Sequence, residues 1–255
     1  SRLLSPQGAV AASGGKAEVR VTKMPKIAVV GTGDELVGLH QKMEPYQIRQ
    51  SNSYAIQSAL VLHGYVHVAR FHIKDDKDEM ISRLGEILEK FDVLILSGGV
   101  SMGEFDYVPD ALKSINVEVL FHKVKQRPGK PLWFGKNKED KPVFALPGNP
   151  VSTQVCFYRY VLPYLNRAIN AKADPKEYIS LDDDFSVTTD LTYFLPVKVE
   201  SERGKPLLAF SANPSGSGDY VTLAKSDGFI ELPAETFQSD LRSSLLKFDP
   251  ISSPS

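Results

Sequence analysis

Apolar and polar positions follow two rhythms along this chain, and the change falls near residue 172. From about residue 25, short unbroken apolar runs alternate with segments of helical period. Lys26-Ile-Ala-Val-Val30, Val93-Leu-Ile-Leu96 and Val143-Phe-Ala-Leu146 are runs suited to strands buried on both faces of a parallel sheet. Val66 to Ile73 alternates and extends into Asp75-Asp76, while Val117 to Val124 and Leu132 to Phe134 supply further strands. Ile48-Arg-Gln-Ser-Asn52 offers caps for a helix over Tyr54 to His63, with Ile56, Ala59, Leu60 and Leu62 on its apolar side and Gly64 closing it. A second covers Asp78 to Lys90, with Met80, Leu84, Ile87 and Leu88 as core, and a third runs from Pro109 to about Ile115. A long helix is expected from Val151 to about Asn166, facing Val155, Tyr158, Leu162 and Leu165 inward, with Pro163 kinking or shortening its end. Alternation of this kind indicates a three-layer α/β domain around a mostly parallel sheet, residues 25–172.

Lys172-Ala-Asp-Pro175 then reads as a linker. Beyond it, Phe194 to Glu200, Leu207 to Phe210 and Gly228 to Leu232 are short strands separated by Gly, Pro and Ser turns, with little helix between them. Residues 173–255 are therefore expected to form a small all-β domain, a sandwich or barrel, frayed from Asp249 onward. Residues 1–24, rich in Gly, Ala and Ser, are expected to be a linker with one edge strand over Glu18 to Thr22. The start, Ser1-Arg-Leu-Leu-Ser-Pro, has no initiator Met and no signal-peptide pattern, and reads as the middle of something longer.

Composition narrows the picture in three ways. A net charge of −1 argues against a general nucleic-acid binder, so any basic patch must be local. The one cysteine, Cys156, lies in an apolar helical pattern, which excludes a disulfide framework and suits a core residue in a reducing, cytoplasmic setting. No apolar stretch approaches the roughly 20 residues that a membrane span requires.

Candidate chemistry collects in the turns that follow the strands. Residues 92 to 106 carry a buried-type strand into Ser97-Gly98-Gly99, where backbone N–H groups can approach a ligand closely. Gly31, Gly33, Gly103, Gly129 and Gly148 offer similar amides, and Thr32, Ser101, Asn149 and Ser152 offer neutral hydrogen-bonding groups. Lys123, Lys125, Arg127 and Lys130 add positive charge, and Glu35, Asp75 and Asp106 add carboxylates. Amides, hydroxyls and cations suit an oxyanion, best of all at a helix N-terminus, and carboxylates join such a site when a hard cation such as Mg²⁺ bridges them. The pattern therefore points to a phosphorylated ligand with a metal. Structural roles compete at several positions: Asn149 or Ser152 as a helix cap, Lys123 and Lys125 as a solvated strand face, Asp75 and Asp76 as a helix start. The five histidines, 40, 63, 67, 72 and 122, lack metal-ligand spacing. No Gly-x-Ser-x-Gly element and no P-loop Lys-Ser/Thr pair is present, and Gly31-Thr-Gly-Asp-Glu lacks the third glycine of a dinucleotide fingerprint.

Four of these turns together resemble one family. Gly-Thr-Gly-Asp-Glu-Leu at 31–36, Ser-Gly-Gly-Val-Ser-Met-Gly at 97–103, Pro-Gly-Lys-Pro at 128–131 and Leu-Pro-Gly-Asn-Pro-Val-Ser at 146–152 are similar to the MoeA family of molybdopterin molybdenumtransferases. Eukaryotic relatives of that family include the E domain of gephyrin. The resemblance extends more weakly into the second domain through Ser215-Gly-Ser-Gly218 and Leu223 to Ile230.

It implies a molybdopterin-binding α/β domain followed by a β-barrel domain, within an elongated cytoplasmic homodimer that works beside a molybdopterin adenylyltransferase. The implied reaction joins molybdate to adenylated molybdopterin (molybdopterin-AMP), giving molybdenum cofactor and AMP with a divalent cation. By motif, Glu35, Asp75 and Asp106 fall on the functional acidic positions, as holders of Mg²⁺. Lys123, Arg127 and Lys130 fall on the basic positions, and Ser101 and Ser152 on loop serines near the pterin and molybdate sites. Thr32, Gly98, Gly99, Gly129, Pro131, Asn149 and Ser217 complete the implied ligand-binding set. Two departures stand out: Arg127 replaces a usual Lys, and Leu191-Thr-Tyr-Phe-Leu-Pro196 lacks arginines common in that segment, one of them associated with molybdate. Two alternatives compete with this reading. One is a nucleotide-processing relative of the same fold; the other is a non-enzymatic scaffold module.

Overall fold

The computed structural model describes residues 3, 5–100, 106–171, 177–182, 185, 190–200, 207–212, 219–234 and 246–251. The linker over Lys172 to Pro175 and the site candidates Ser101 and Ser217 lie outside them.

The first element is α1 (Ser5–Ser13), followed by β1 (Ile27–Thr32) and a short parallel pair, β2 (Leu36–Val37) with β3 (Ile48–Arg49). Next come α2 (Asn52–Leu62), β4 (Val68–Ile73), α3 (Lys77–Lys90), β5 (Val93–Ser97), α4 (Val108–Ser114), β6 (Glu118–His122), β7 (Gln126–Arg127), β8 (Trp133–Lys136) and β9 (Pro142–Leu146). A long helix then runs as α5 (Pro150–Cys156), a π-helical turn over Phe157–Val161, and α6 (Leu162–Ala168). The last part holds β10 (Glu177–Leu181), β11 (Thr192–Glu200), β12 (Leu208–Ser211), α7 (Tyr220–Lys225), β13 (Gly228–Leu232) and β14 (Leu246–Pro250).

The main sheet has the order β4-β1-β5-β9-β8-β6, parallel through its first four strands and antiparallel through its last two. Successive residues of the central strands feed opposite cores, because side chains alternate across a sheet. Ile27, Val29, Val93 and Ile95 join Ile56, Leu60, Val155 and Leu165 of α2 and the long helix. Ala28, Val30, Leu94 and Leu96 join Met80, Leu84, Ala111 and Leu112 of α3 and α4. These two cores make the three layers. In α3, all four residues expected on its apolar stripe are buried, and Asp76 caps the helix by accepting from the Glu79 N–H.

The second domain is a five-stranded barrel in the order β12-β10-β14-β13-β11, closed by the pairing of β11 with β12. Its core is Ile179, Leu181, Leu195, Val197, Ala209, Ile230, Leu232, Leu246 and Phe248. Phe194, Leu223 and Phe229 face outward from that core and join the one built around α2 and the long helix. The barrel thus packs on one side of the α/β domain. β7 adds a sixth strand to the barrel sheet, pairing in parallel with β11 at Thr192–Gln126 and Tyr193–Arg127.

Five expectations are corrected. Glu18 to Thr22 lies exposed and joins no sheet among the described residues; Ser5–Ser13, rich in the strong helix former Ala, forms a helix. Residues Ile48–Arg49 pair with β2, and α2 begins at Asn52 rather than at Tyr54. Leu62 is 71% exposed, because two residues beyond Leu60 carries it about 200° around the helix axis, away from the sheet. Pro163 does not shorten the long helix, which runs past the expected Asn166. It cannot donate to the Arg159 carbonyl, so the ladder slips by one residue over the π turn, the Leu162 N–H bonds the Phe157 carbonyl, and the helix continues to Ala168. In the barrel, β10, β14 and α7 were not legible, and Asp249 and Pro250 belong to β14 rather than to a frayed end.

Candidate functional site

From β1 the chain crosses through α2 to β4 on one side, and from β4 it crosses back through α3 to β5 on the other. β1 and β5 stay paired to Gly31 and Ser97, but the chain leaves them for helices on opposite faces of the sheet, and such a point is where an open parallel sheet leaves a crevice. A cavity of about 510 Å³ opens there. Gly31 to Gly33 line it from β1, Asp75 from beyond β4, Ser97 to Val100 from β5, and Pro147 to Pro150 with Ser152 from the β9 turn and α5. Its size is in the range that accepts a small organic ligand, roughly 300–1,000 Å³.

Glycine is required at the β5 turn. Gly98 has φ of 108° and Gly99 of 69°, and a Cβ on Gly98 would lie 2.8 Å from both the carbonyl and the hydroxyl oxygen of Thr32. The β1 and β5 loops touch here backbone to backbone, which only a residue without a side chain permits. The Gly98 N–H donates to the Leu146 carbonyl, 3.1 Å, so the turn stays tied to β9.

Hydrogen bonds then fix the rim. Asn52 Nδ2, in the first turn of α2, donates to Ser97 Oγ at 2.9 Å and to the Gly148 carbonyl at 2.7 Å. Its Oδ1 accepts from the Tyr220 hydroxyl on α7 of the barrel. Thr153 Oγ1 donates to the Pro147 carbonyl at 2.6 Å and lies 3.0 Å from the Asn149 carbonyl, which holds the β9 turn on α5. Asn149 stands at the N-cap position without making the capping bond, so the competing reading as a cap does not account for its side chain. Thr32 and Ser53 are each 3% exposed and line the cavity, and their hydroxyl oxygens have no hydrogen-bond partner among the described residues. Unpartnered buried hydroxyls at the wall of a cavity are what a bound polar ligand relieves.

Glu35, Asp75 and Asp106 all line the cavity. Asp75 and Asp76 have divided the two roles open to them: Asp76 caps α3, and Asp75 faces the cavity. Burial pushes the Asp75 carboxyl above the usual carboxylate range, and the negative charges of Glu35, Asp34 and Asp106 push it further, against a hydrogen bond at Asp34 that lowers it. Among the described residues, no group of three or more His, Cys, Asp or Glu side chains is arranged to hold a metal ion. The three acids therefore share a cavity and a field without forming a closed cage.

Of the other expected residues, Thr32, Gly98, Gly99, Pro131, Asn149 and Ser152 line the same cavity. Lys123, Arg127 and Lys130 do not; all three are exposed. Arg127 lies on β7 with its guanidinium 6.0 Å from the Tyr193 ring, and Lys125 pairs with Asp190 at 3.6 Å on the surface. Gly129 backs onto α5, where a Cβ would meet Gln126 Nε2 and Cys156 Sγ. Sequence reasoning missed the stretch Arg49-Gln50-Ser51-Asn52-Ser53, which lines the cavity at the start of α2. A run of polar residues entering the first crossover helix beyond β1 was the available signal, and it read only as helix caps.

Comparison with known proteins follows the same division of the chain. Residues 28–167 match a family described as probable molybdopterin binding domain. The chain belongs to that family. Past this molybdopterin binding domain, residues 178–239 match the MoeA C-terminal region, domain IV. A protein of Synechocystis sp. named molybdopterin molybdenumtransferase is 40% identical over 234 residues, covering 91% of this chain and 57% of that protein. A protein of the same name from Staphylococcus epidermidis is 34% identical over 232 residues, covering 89% and 54%. The chain thus spans a little over half the length of these relatives. The crystal structure of a molybdopterin biosynthesis MoeA protein from Pyrococcus horikoshii superposes with a TM-score of 0.81 and 28% identity, covering all of this chain and 61% of that one.

Proposed function

We propose that this molybdopterin-binding chain is the catalytic part of a molybdopterin molybdenumtransferase, which inserts molybdate into molybdopterin-AMP and releases AMP. The observation that carries this reading is the cavity between β1 and β5. Its glycine turns, its Thr32 and Ser53 hydroxyls without a partner among the described residues and its three carboxylates suit a phosphorylated ligand that arrives with a cation. The names of the relatives in Synechocystis and Staphylococcus supply the substrate class.

In this reading Glu35, Asp75 and Asp106 are the residues that would hold Mg²⁺. They fit it because burial first, and then the negative charges of Glu35, Asp34 and Asp106, disfavour the ionised Asp75 carboxylate, and a hard cation beside it would offset both. Mg²⁺ commonly takes only one or two protein carboxylates and completes its shell with phosphate and water, so an open set of acids is suitable. When bound, it neutralises charge on the phosphoanhydride. The chain's own part is positioning: Gly98 and Gly99 admit the phosphates close to backbone, and Asn149 and Ser152 offer polar groups at the start of α5. Lys123, Arg127 and Lys130 are exposed and stand outside the cavity lining, so in this reading they would act only through long-range charge. We also place the complete protein in the cytoplasm as a homodimer, receiving its adenylated substrate from a molybdopterin adenylyltransferase.

The test is single-turnover AMP release by the complete protein, supplied with molybdopterin-AMP, with and without molybdate and Mg²⁺. Release that depends on molybdate is expected. Tight binding of molybdopterin-AMP with no molybdate-dependent release would refute the transferase reading.

A further inference from the structure

Arg49 is unlike every other charged side chain that faces the cavity. Among the described residues lining it, Arg49 is the only cation, set against Glu35, Asp75 and Asp106. Its side chain is half-buried, and Nη1 donates to two backbone carbonyls, Gly38 at 2.5 Å and Gln41 at 2.6 Å. Those bonds use both hydrogens of Nη1 and leave Nε and Nη2 to others. No carboxylate pairs with Arg49 among the described residues, although other arginines of the chain have such partners, as Arg83 has Glu86 and Arg159 has Glu231. A half-buried guanidinium without an anion carries a desolvation cost that two carbonyl acceptors relieve only in part. Arg49 lines the cavity, and Ser53, in the first turn of α2, adds to the same wall a buried hydroxyl with no partner among the described residues.

We propose that Arg49 recognises a tetrahedral oxyanion of the bound ligand, with Gly38 and Gln41 acting as the brace that aims its guanidinium. The planar fork of Nε and Nη2 matches two oxygens of one phosphate or molybdate group. The same bonds tie the segment between β2 and β3 to the cavity rim, so ligand binding and order in that segment are linked through one side chain. This inference rests on the cavity being an oxyanion site, as proposed above.

The experiment is calorimetry on the complete protein with inorganic pyrophosphate and, separately, with molybdate, at low and moderate salt. The variants are Arg49→Gln and Arg49→Lys. Gln keeps an amide donor for the Gly38 carbonyl but loses the charge, and Lys keeps the charge but loses the fork. The wild type is expected to bind at least one of the two anions. Arg49→Gln should then lose about 10-fold or more in affinity for that anion, with a flatter salt dependence, and Arg49→Lys should keep part of it. The anion affected identifies whether the contact is to a phosphate or to molybdate. Equal binding by the wild type and Arg49→Gln would overturn the proposal alone. So would an affinity loss with unchanged salt dependence, which would reduce Arg49 to a tether for its loop. A wild type that binds neither anion would overturn the oxyanion reading of the cavity along with it.

Discussion

Tyr220 donates its hydroxyl hydrogen to Asn52 Oδ1 although 168 residues separate them, and Asn52 passes the contact on to Ser97 and Gly148. One amide thus joins α7 of the barrel to the β5 and β9 turns at the cavity. Replacing Asn52 with Ala removes bonds in three directions and should cost about 1–3 kcal/mol of stability. Tyr220→Phe leaves the Asn52 bonds to Ser97 and Gly148 in place and should cost about 0.5–1.5 kcal/mol. Chemical denaturation of both variants checks the ranking, and a larger loss for Tyr220→Phe would contradict it.

Gly98→Ala should damage the site more than the fold. The new methyl meets Thr32 at a positive φ, which costs on the order of 1–3 kcal/mol and forces the β1 and β5 loops apart. Ligand affinity measured by calorimetry should fall by at least about 10-fold while circular dichroism stays native.

Asp75 should trade stability for cation binding. Its folded pKa is raised, so the folded state binds protons more readily than the unfolded chain does. The associated stability is present below the ordinary carboxylate pKa, about 4, and is lost as pH rises through the raised value. At neutral pH the ionised group is therefore a burden. Asp75→Asn should raise stability at pH 7 by up to about 1 kcal/mol, a gain that disappears on acidification below about pH 4, and should weaken Mg²⁺ binding. Thermal melts at both pH values, with and without Mg²⁺, measure all three effects.

Asp106→Ala should leave the melting temperature close to wild type, since Asp106 sits in a loop before α4, while turnover falls by about 100-fold or more. Turnover at the wild-type rate would remove Asp106 from the proposed chemistry.

Cys156 should resist thiol reagents in the native protein. It is fully buried on α5, and burial drives its pKa well above the ordinary thiol value, so no thiolate is available. Labelling with a disulfide reagent should follow global unfolding in urea. Rapid labelling in buffer would contradict this burial.

Hydrophobic rhythm alone determined the three-layer domain, since strands such as Val93 to Leu96 and the stripe of α3 declare their environment through local periodicity. The turns carrying Gly98, Asp75 and Asn149 were equally legible, because each directly follows a strand and open parallel sheets place such turns at one edge. Tertiary structure decided which charges meet. Arg127 and Lys130 share a turn with Pro131, yet only Pro131 lines the cavity, and Arg127 is held away because it pairs with β11 of a different domain. Arg49 and Asn52 looked like helix-start residues, and nothing local marks that α2 opens beside β5, 45 residues away from Asn52 at Ser97. Closure of the barrel through β11 and β12 was also hidden, since pairing partners distant in sequence leave no period in either strand. Periodicity reports which face of an element is buried; it carries no information about the side chain that will stand opposite.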